Sequence, residues 1–162
     1  MADLRVALEG IGLESVRTYI QSGNVVFAAP KPMASAVALE PRLEAALEER
    51  FGFPIATVVR SENEMRAVVA NAPEGFGASP DTHLCDVVFL KPELTIERAM
   101  EVVTTREGVD RAWPGTAVVY FERLAERRTE SRLARVIGSK EYRSMTIRNW
   151  NTTTKLVALL NG

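Results

Sequence analysis

The chain has 162 residues, 46% of them hydrophobic and 25% charged, enough apolar material for one substantial core or two small subdomains. Lys plus Arg number 20 against 21 Asp plus Glu, so no overall field draws the chain to nucleic acid or an anionic membrane, and any polyanion site must be a local patch. A single cysteine, Cys85, excludes an internal disulfide and a multi-cysteine metal site and fits a reducing cytoplasm, while the longest apolar runs are far shorter than a membrane span and the first residues lack the apolar core of a signal peptide.

Leu4, Ala7, Leu8 and Ile11 recur at helical spacing, with Gly10 and Gly12 closing the segment. Val16, Thr18 and Ile20 then alternate with Arg17, Tyr19 and Gln21. Ser22-Gly23 permits a reversal into Asn24-Val25-Val26-Phe27, which reads as a β-hairpin. After a loop at Pro30-Lys31-Pro32, Pro41 suits a first helical turn ahead of Leu43, Ala46, Leu47 and Phe51, with Gly52 as the stop. Ile55 to Val59 is a β-rich run, and Ser61-Glu62-Asn63-Glu64 has the form of a capping box before Met65, Val68 and Val69.

The loop from Asn71 to Asp81, carrying Pro73, Gly75, Gly77 and Pro80, is the best domain boundary, which divides the chain into residues 1–71 and 72–162. Beyond it, His83 to Leu90 reads as a strand, and Thr95 caps a helix through Ile96, Ala99, Met100 and Val103. Val109 to Trp113 pairs with Ala117 to Phe121 across Pro114-Gly115-Thr116. Leu133, Val136 and Ile137 mark a helix ended by Gly138, Met145 to Trp150 a strand, and Leu156 to Leu160 a closing helix. The second part therefore reads β-α-β-β-α-β plus a helix, the split order of ferredoxin-like folds.

The first part reads α-β-β-α-β, the same order without its initial strand. The expected fold is thus α+β, two tandem ferredoxin-like modules with the first incomplete. In this topology the initial strand is a central one. Strands lie about 4.8 Å apart, so its absence would leave Val25–Phe27 and Ile55–Val59 separated by roughly twice that, with unpaired backbone groups facing each other. The expectation is that the chain begins inside the natural protein, that another segment fills the slot, or that the open slot supports self-association.

Two stretches, Val16 through Phe27 and Arg148-Asn149-Trp150-Asn151-Thr152 through Lys155-Leu156, closely resemble the signature segments of the domain of unknown function 1697 family, and the similarity runs over essentially the whole chain. The resemblance implies tandem ferredoxin-like modules. It also implies a strand with an Arg-Gly-Ile-Asn-type sequence before the first helix, which this chain lacks. Where the family pattern implies a Ser-Lys-Leu approach, Glu130-Ser131-Arg132-Leu133 has Arg132 instead. No activity comes with the family.

The segment from Thr146 to Lys155 concentrates hydrogen-bond donors where a strand turns into a helix, and the first free N–H groups of a helix favour an anion. Here Thr146, Arg148 and Trp150 would share one strand face and Ile147 and Asn149 the other. Trp150 would stack beside Arg148, and Asn149, Asn151, Thr152 and Lys155 would gather around an anionic partner, a nucleotide or nucleic acid. The plainer reading is a structural corner in which Asn151 or Thr152 caps the helix, Trp150 fills the core and Arg148 pairs with a carboxylate. Gln21 and Asn24 place amides at the hairpin turn, where they would join the site only by lying close to Arg148 and Asn151; turn chemistry explains them equally.

His83 and Cys85 share a strand face, the outline of a thiolate-imidazole pair, but no third group orients them and packing explains them better. The run Arg123, Arg127, Arg128, Arg132 and Arg135 is interleaved with Glu122, Glu126 and Glu130, which reads as a solvated face. No metal-ligand spacing, phosphate loop, dinucleotide fingerprint or nucleophile elbow occurs, and no cofactor is identified. The leading expectation is a non-catalytic binding module for an anionic ligand; the alternative is a small-molecule enzyme with a cleft between the modules.

Overall fold

The computed structural model describes residues 2–19, 23–31 and 35–162. The chain is a mixed α+β protein with two antiparallel sheets among the described residues, and it divides into two compact units: residues 1–61 with 156–162, and residues 62–155. The linking helix expected with the first part thus belongs to the second unit, and the end of the last helix belongs to the first.

In the first unit, α1 (Ala2–Gly10) leads into β1 (Glu14–Tyr19), which pairs antiparallel with β2 (Asn24–Ala28). Ser15 takes a left-handed φ of 52° beside the register shift between Glu14 and Arg17, which marks a bulge. The next helix, α2 (Ala36–Phe51), starts five residues earlier than the proline suggested, so Pro41 lies inside it rather than in its first turn. An internal proline removes one helical hydrogen bond, a penalty of about 3 kcal/mol. Leu39, Leu43 and Leu47, at four-residue spacing, offset it by packing with Leu8, Leu13 and Val16 in one buried cluster.

The β-rich run Ile55 to Val59 is not a strand. Its backbone donors go to side chains of α2 instead: the Thr57 N–H to Glu44 Oε1 at 2.8 Å and the Val59 N–H to Glu40 Oε1 at 2.9 Å. Composition signals an extended segment, but a strand needs a neighbouring backbone, and two carboxylates have taken that role here.

The second unit opens with α3 (Glu62–Ala70) and a long loop. There follow β3 (His83–Leu90), α4 (Ile96–Val102), β4 (Asp110–Pro114), β5 (Val118–Leu124), α5 (Leu133–Ile137), β6 (Met145–Asn149) and the start of α6 (Trp150–Leu160). The sheet order is β4-β5-β3-β6, every pair antiparallel. On one face Val88, Leu90, Val119, Phe121 and Met145 pack against Ala99 of α4 and Val103 at its end and against Leu133 and Val136 of α5. Thr95 caps α4 as its sequence suggests, its hydroxyl accepting the Arg98 N–H at 3.2 Å. On the other face the Tyr120 hydroxyl donates to the Val68 carbonyl at 2.6 Å, anchoring α3.

Candidate ligand cavity at a strand-to-helix corner

The last pair between β3 and β6 is Asp86 with Asn149, so the chain leaves the sheet while His83, Leu84 and Cys85 still continue β3. Beside that uncovered edge, the 71–82 loop and the first residues of α6 border a half-open cavity of about 300 Å³. Its walls include Gly77 and Pro80 from the loop, His83 to Asp86 from β3, Arg123 from β5, and Asn149, Trp150 and Asn151 from the corner. That volume is at the lower end of the roughly 300–1,000 Å³ usual for small-molecule sites.

The corner is built by Asn149, which corrects the expected cap. Its Oδ1 accepts the Thr152 N–H at 2.7 Å, the geometry of an N-cap, so the helix starts at Trp150 and neither Asn151 nor Thr152 is the cap. The cap can form because β6 ends at Asn149 itself, which leaves its extended backbone at the helix entrance. The threonines that follow are structural: Thr152 and Thr153 are buried, the Thr153 hydroxyl donates to the Asn149 carbonyl at 3.0 Å, and Thr154 donates to the Asn151 carbonyl at 3.1 Å.

Because Trp150 is helical, it does not continue the strand face of Thr146 and Arg148. Its ring meets Phe76 edge to face at 5.1 Å and lies on Gly77, whose φ is 78°. A Cβ at Gly77 would stand 2.2 Å from Trp150 Cδ1, so only glycine admits this contact. Phe76 extends the aromatic cluster to Tyr120 at 5.5 Å and Trp113 at 6.1 Å.

Arg148 faces the opposite side of the sheet from Asn149 and is not among the cavity walls. Its Nη1 donates to Thr146 Oγ1 at 2.7 Å and to the Ile147 carbonyl at 2.8 Å, and burial pushes its guanidinium below its ordinary range. Lys155 is exposed and also lies outside the walls. In the first unit Asn24 is buried and its Nδ2 donates to the Tyr19 carbonyl at 3.2 Å, a hairpin-closing role. Gln21 lies outside the described residues. Of the site expected from sequence, then, Asn149, Trp150 and Asn151 come together, with Thr152 supporting them through the cap.

The groups that sequence reasoning missed are Asp86 and Arg123. They sit on the same sheet face, because Arg123 is opposite Leu84, which lies two positions before Asp86 on β3. Asp86 is only 8% exposed; its Oδ2 and Arg123 Nε are buried without hydrogen bonds, and Asp86 Oδ2 is 3.6 Å from Arg123 Nη2. Burial pushes the Asp86 carboxyl above its ordinary range, with Arg123 opposing. The neighbouring Asp110 plays a structural part, its Oδ2 accepting the Arg106 and Arg132 N–H groups, both at 2.9 Å. Strand alternation was the available signal: extending the β5 pattern two residues past Phe121 places Arg123 on the inward face.

His83 and Cys85 do both line the cavity, but without a reactive pair. Burial and then Glu122 push the Cys85 thiol up to about 11, against the backbone N–H of Gly77, and its Sγ donates to Glu122 Oε2 at 3.6 Å. Glu122 is itself paired with Arg111. At neutral pH the sulfur is therefore a thiol, a poor nucleophile. Among the described residues no three His, Cys, Asp or Glu side chains are placed to hold a metal ion, and no helix is long and apolar enough to cross a membrane.

A family model described as protein of unknown function (DUF1697) matches residues 1–120. The solved structure of a conserved bacterial protein from Streptococcus pneumoniae is similar with a TM-score of 0.81 and 24% identity, over 99% of this chain and 88% of that one. At that identity the likeness bears on fold alone. No curated protein matches the chain.

Proposed function

The chain belongs to the DUF1697 family, proteins of unknown function, and from that premise we propose that it is a non-catalytic binding module whose second unit holds a small anionic ligand of the nucleotide class. The observation that carries this reading is the cavity itself, where the Asn149–Asn151 corner meets the buried Asp86 and the partly buried Arg123. The half-buried Trp150 offers an aromatic wall, the Asn149 and Asn151 side chains offer amides, and the opening turn of α6 offers N–H groups toward a phosphate at the mouth. A thiol held protonated and the absence of an orienting base among the described groups favour binding over nucleophilic chemistry.

The second unit fits a ferredoxin-like module, since its sheet order places the first and third strands centrally and both helices pack on one face. A cytoplasmic address fits the single cysteine. Calorimetric titration of the full chain with a panel of nucleosides, nucleotides and short RNAs tests the reading. Saturable binding of a mononucleotide, weakened at least tenfold by Asn151→Ala or Trp150→Ala, supports it. No binding across the panel would sink it, and binding of RNA alone would replace the small ligand by a nucleic acid.

A further inference from the structure

The arginine-rich segment after β5 has mixed signs in sequence, but the fold sorts them. Residues 127–143 hold six Lys and Arg against two Glu, while the rest of the chain holds 14 against 19. Both acids of the segment are already committed: Glu130 pairs with Arg127 at 2.7 Å and lies 3.7 Å from Arg106, and Glu141 pairs with Arg98 of α4 at 2.6 Å. Among the described residues Arg128, Arg132, Arg135, Lys140 and Arg143 make no ion pair, and all but the half-buried Arg132 are exposed.

These cations form a short ridge. Leu133 and Val136 turn into the core, which leaves Arg132 and Arg135, three residues apart, on the flank and outer side of α5. The 3₁₀ turn Lys140–Ser144 packs beside α5 and brings Lys140 and Arg143 into line, since residues three apart eclipse in that geometry. At a rise of about 2 Å per residue through such turns, the five charges span roughly 30 Å or less. Two exposed carboxylates, Glu126 and Glu93, border them, Glu93 accepting the Ser144 hydroxyl at 3.2 Å. Five cations thus face two acids, and none of the five lines the cavity.

We propose that this ridge binds the phosphate backbone of a nucleic-acid duplex without reading its bases. A duplex carries one negative charge per about 1.7 Å of its axis, so a strip of this length meets several phosphates at once. Four of the five cations are arginines, whose planar forks suit phosphate oxygens. The segment's aromatic side chain, Tyr142, is half-buried against the core, so the stacking that holds single strands is not offered there. A membrane surface fits less well, because the apolar face of α5 is used in the core and Ile137 is the large apolar side chain it leaves exposed.

The test is fluorescence anisotropy of a labelled mixed-sequence DNA duplex of about 20 base pairs, titrated with the full chain over a series of salt concentrations. Binding should be independent of sequence and should weaken with salt at a log–log slope of about −4. Arg128→Gln combined with Arg135→Gln should reduce that slope by about two and weaken low-salt binding at least tenfold, whereas Lys155→Gln should change neither. A thermal melt checks that the double variant folds; if it does not, the salt slope and the competitors decide on the unaltered chain. No binding at low salt, a slope unmoved by the folded double variant, or stronger binding of polyglutamate or anionic lipid vesicles would overturn the ridge as a duplex site. The cavity reading is decided separately, by mononucleotide binding and its loss in Trp150→Ala.

Discussion

At Gly77 the chain needs two things that only glycine supplies together: a left-handed φ of 78° and room for the Trp150 ring. Gly77→Ala should therefore destabilise the protein by about 2–4 kcal/mol through backbone strain and overpacking. The displaced indole should also shift the tryptophan emission, which separates this effect from a general loss of stability. Asp86 gives a second residue-level prediction. Burial raises its folded pKa, so the folded chain binds the proton more tightly than the unfolded chain does. Stability should accordingly fall as pH rises from the ordinary aspartate range, near about 3.9, through the raised folded value, and stay lowered above it. Below that window the penalty is absent. Denaturation midpoints measured across the acid range should show this descent in the unaltered chain and lose it in Asp86→Asn.

Among the elements, the strand-to-helix corner depends on one side chain. Asn149→Ala should remove the cap and destabilise by about 1 kcal/mol, while Asn149→Asp keeps a cap oxygen and should stay within a few tenths of that of the parent. If the amide nitrogen serves the ligand, the Asp variant should nonetheless bind a nucleoside more weakly, which urea denaturation and titration together resolve. The corner itself was legible from sequence, since a strand pattern running into Asn-Trp-Asn-Thr signals a cap. Which residue caps was not, because Asn149, Asn151 and Thr152 have equivalent chemistry and only the end of β6 chooses among them. Similarly, Pro41 misplaced the start of α2 because a local rule was outweighed by three leucines packing four residues apart. Ile55 to Val59 has strand composition, but strand formation depends on a partner that local sequence does not specify.

For the molecule as a whole, the second unit was the readable part. The continuous β-branched and aromatic runs of β3 and β5, the Thr95 cap and the glycine-bearing turns each mark one element, and together they specify their order. The cavity was half readable. Asn149, Trp150 and Asn151 are contiguous and so visible as a motif, whereas Asp86 and Arg123 lie 37 positions apart and meet only through the β3–β5 register. A lone aspartate and one arginine of a mixed-charge run carry no signal until that register is known. Conversely, Arg148 and Lys155 belong to the motif in sequence but lie outside the cavity walls, since strand alternation and helical rise carry them elsewhere. The central claim, that the corner is a ligand site, is tested most directly by proton–nitrogen correlation spectra of the labelled full chain during titration with uridine or guanosine. Saturable shifts of the Trp150 indole N–H and of the Asn149 and Asn151 side-chain amides, with the Trp113 indole little changed, are the expected result. Spectra that stay unmoved at the corner, or shifts confined to residues remote from it, would contradict the account.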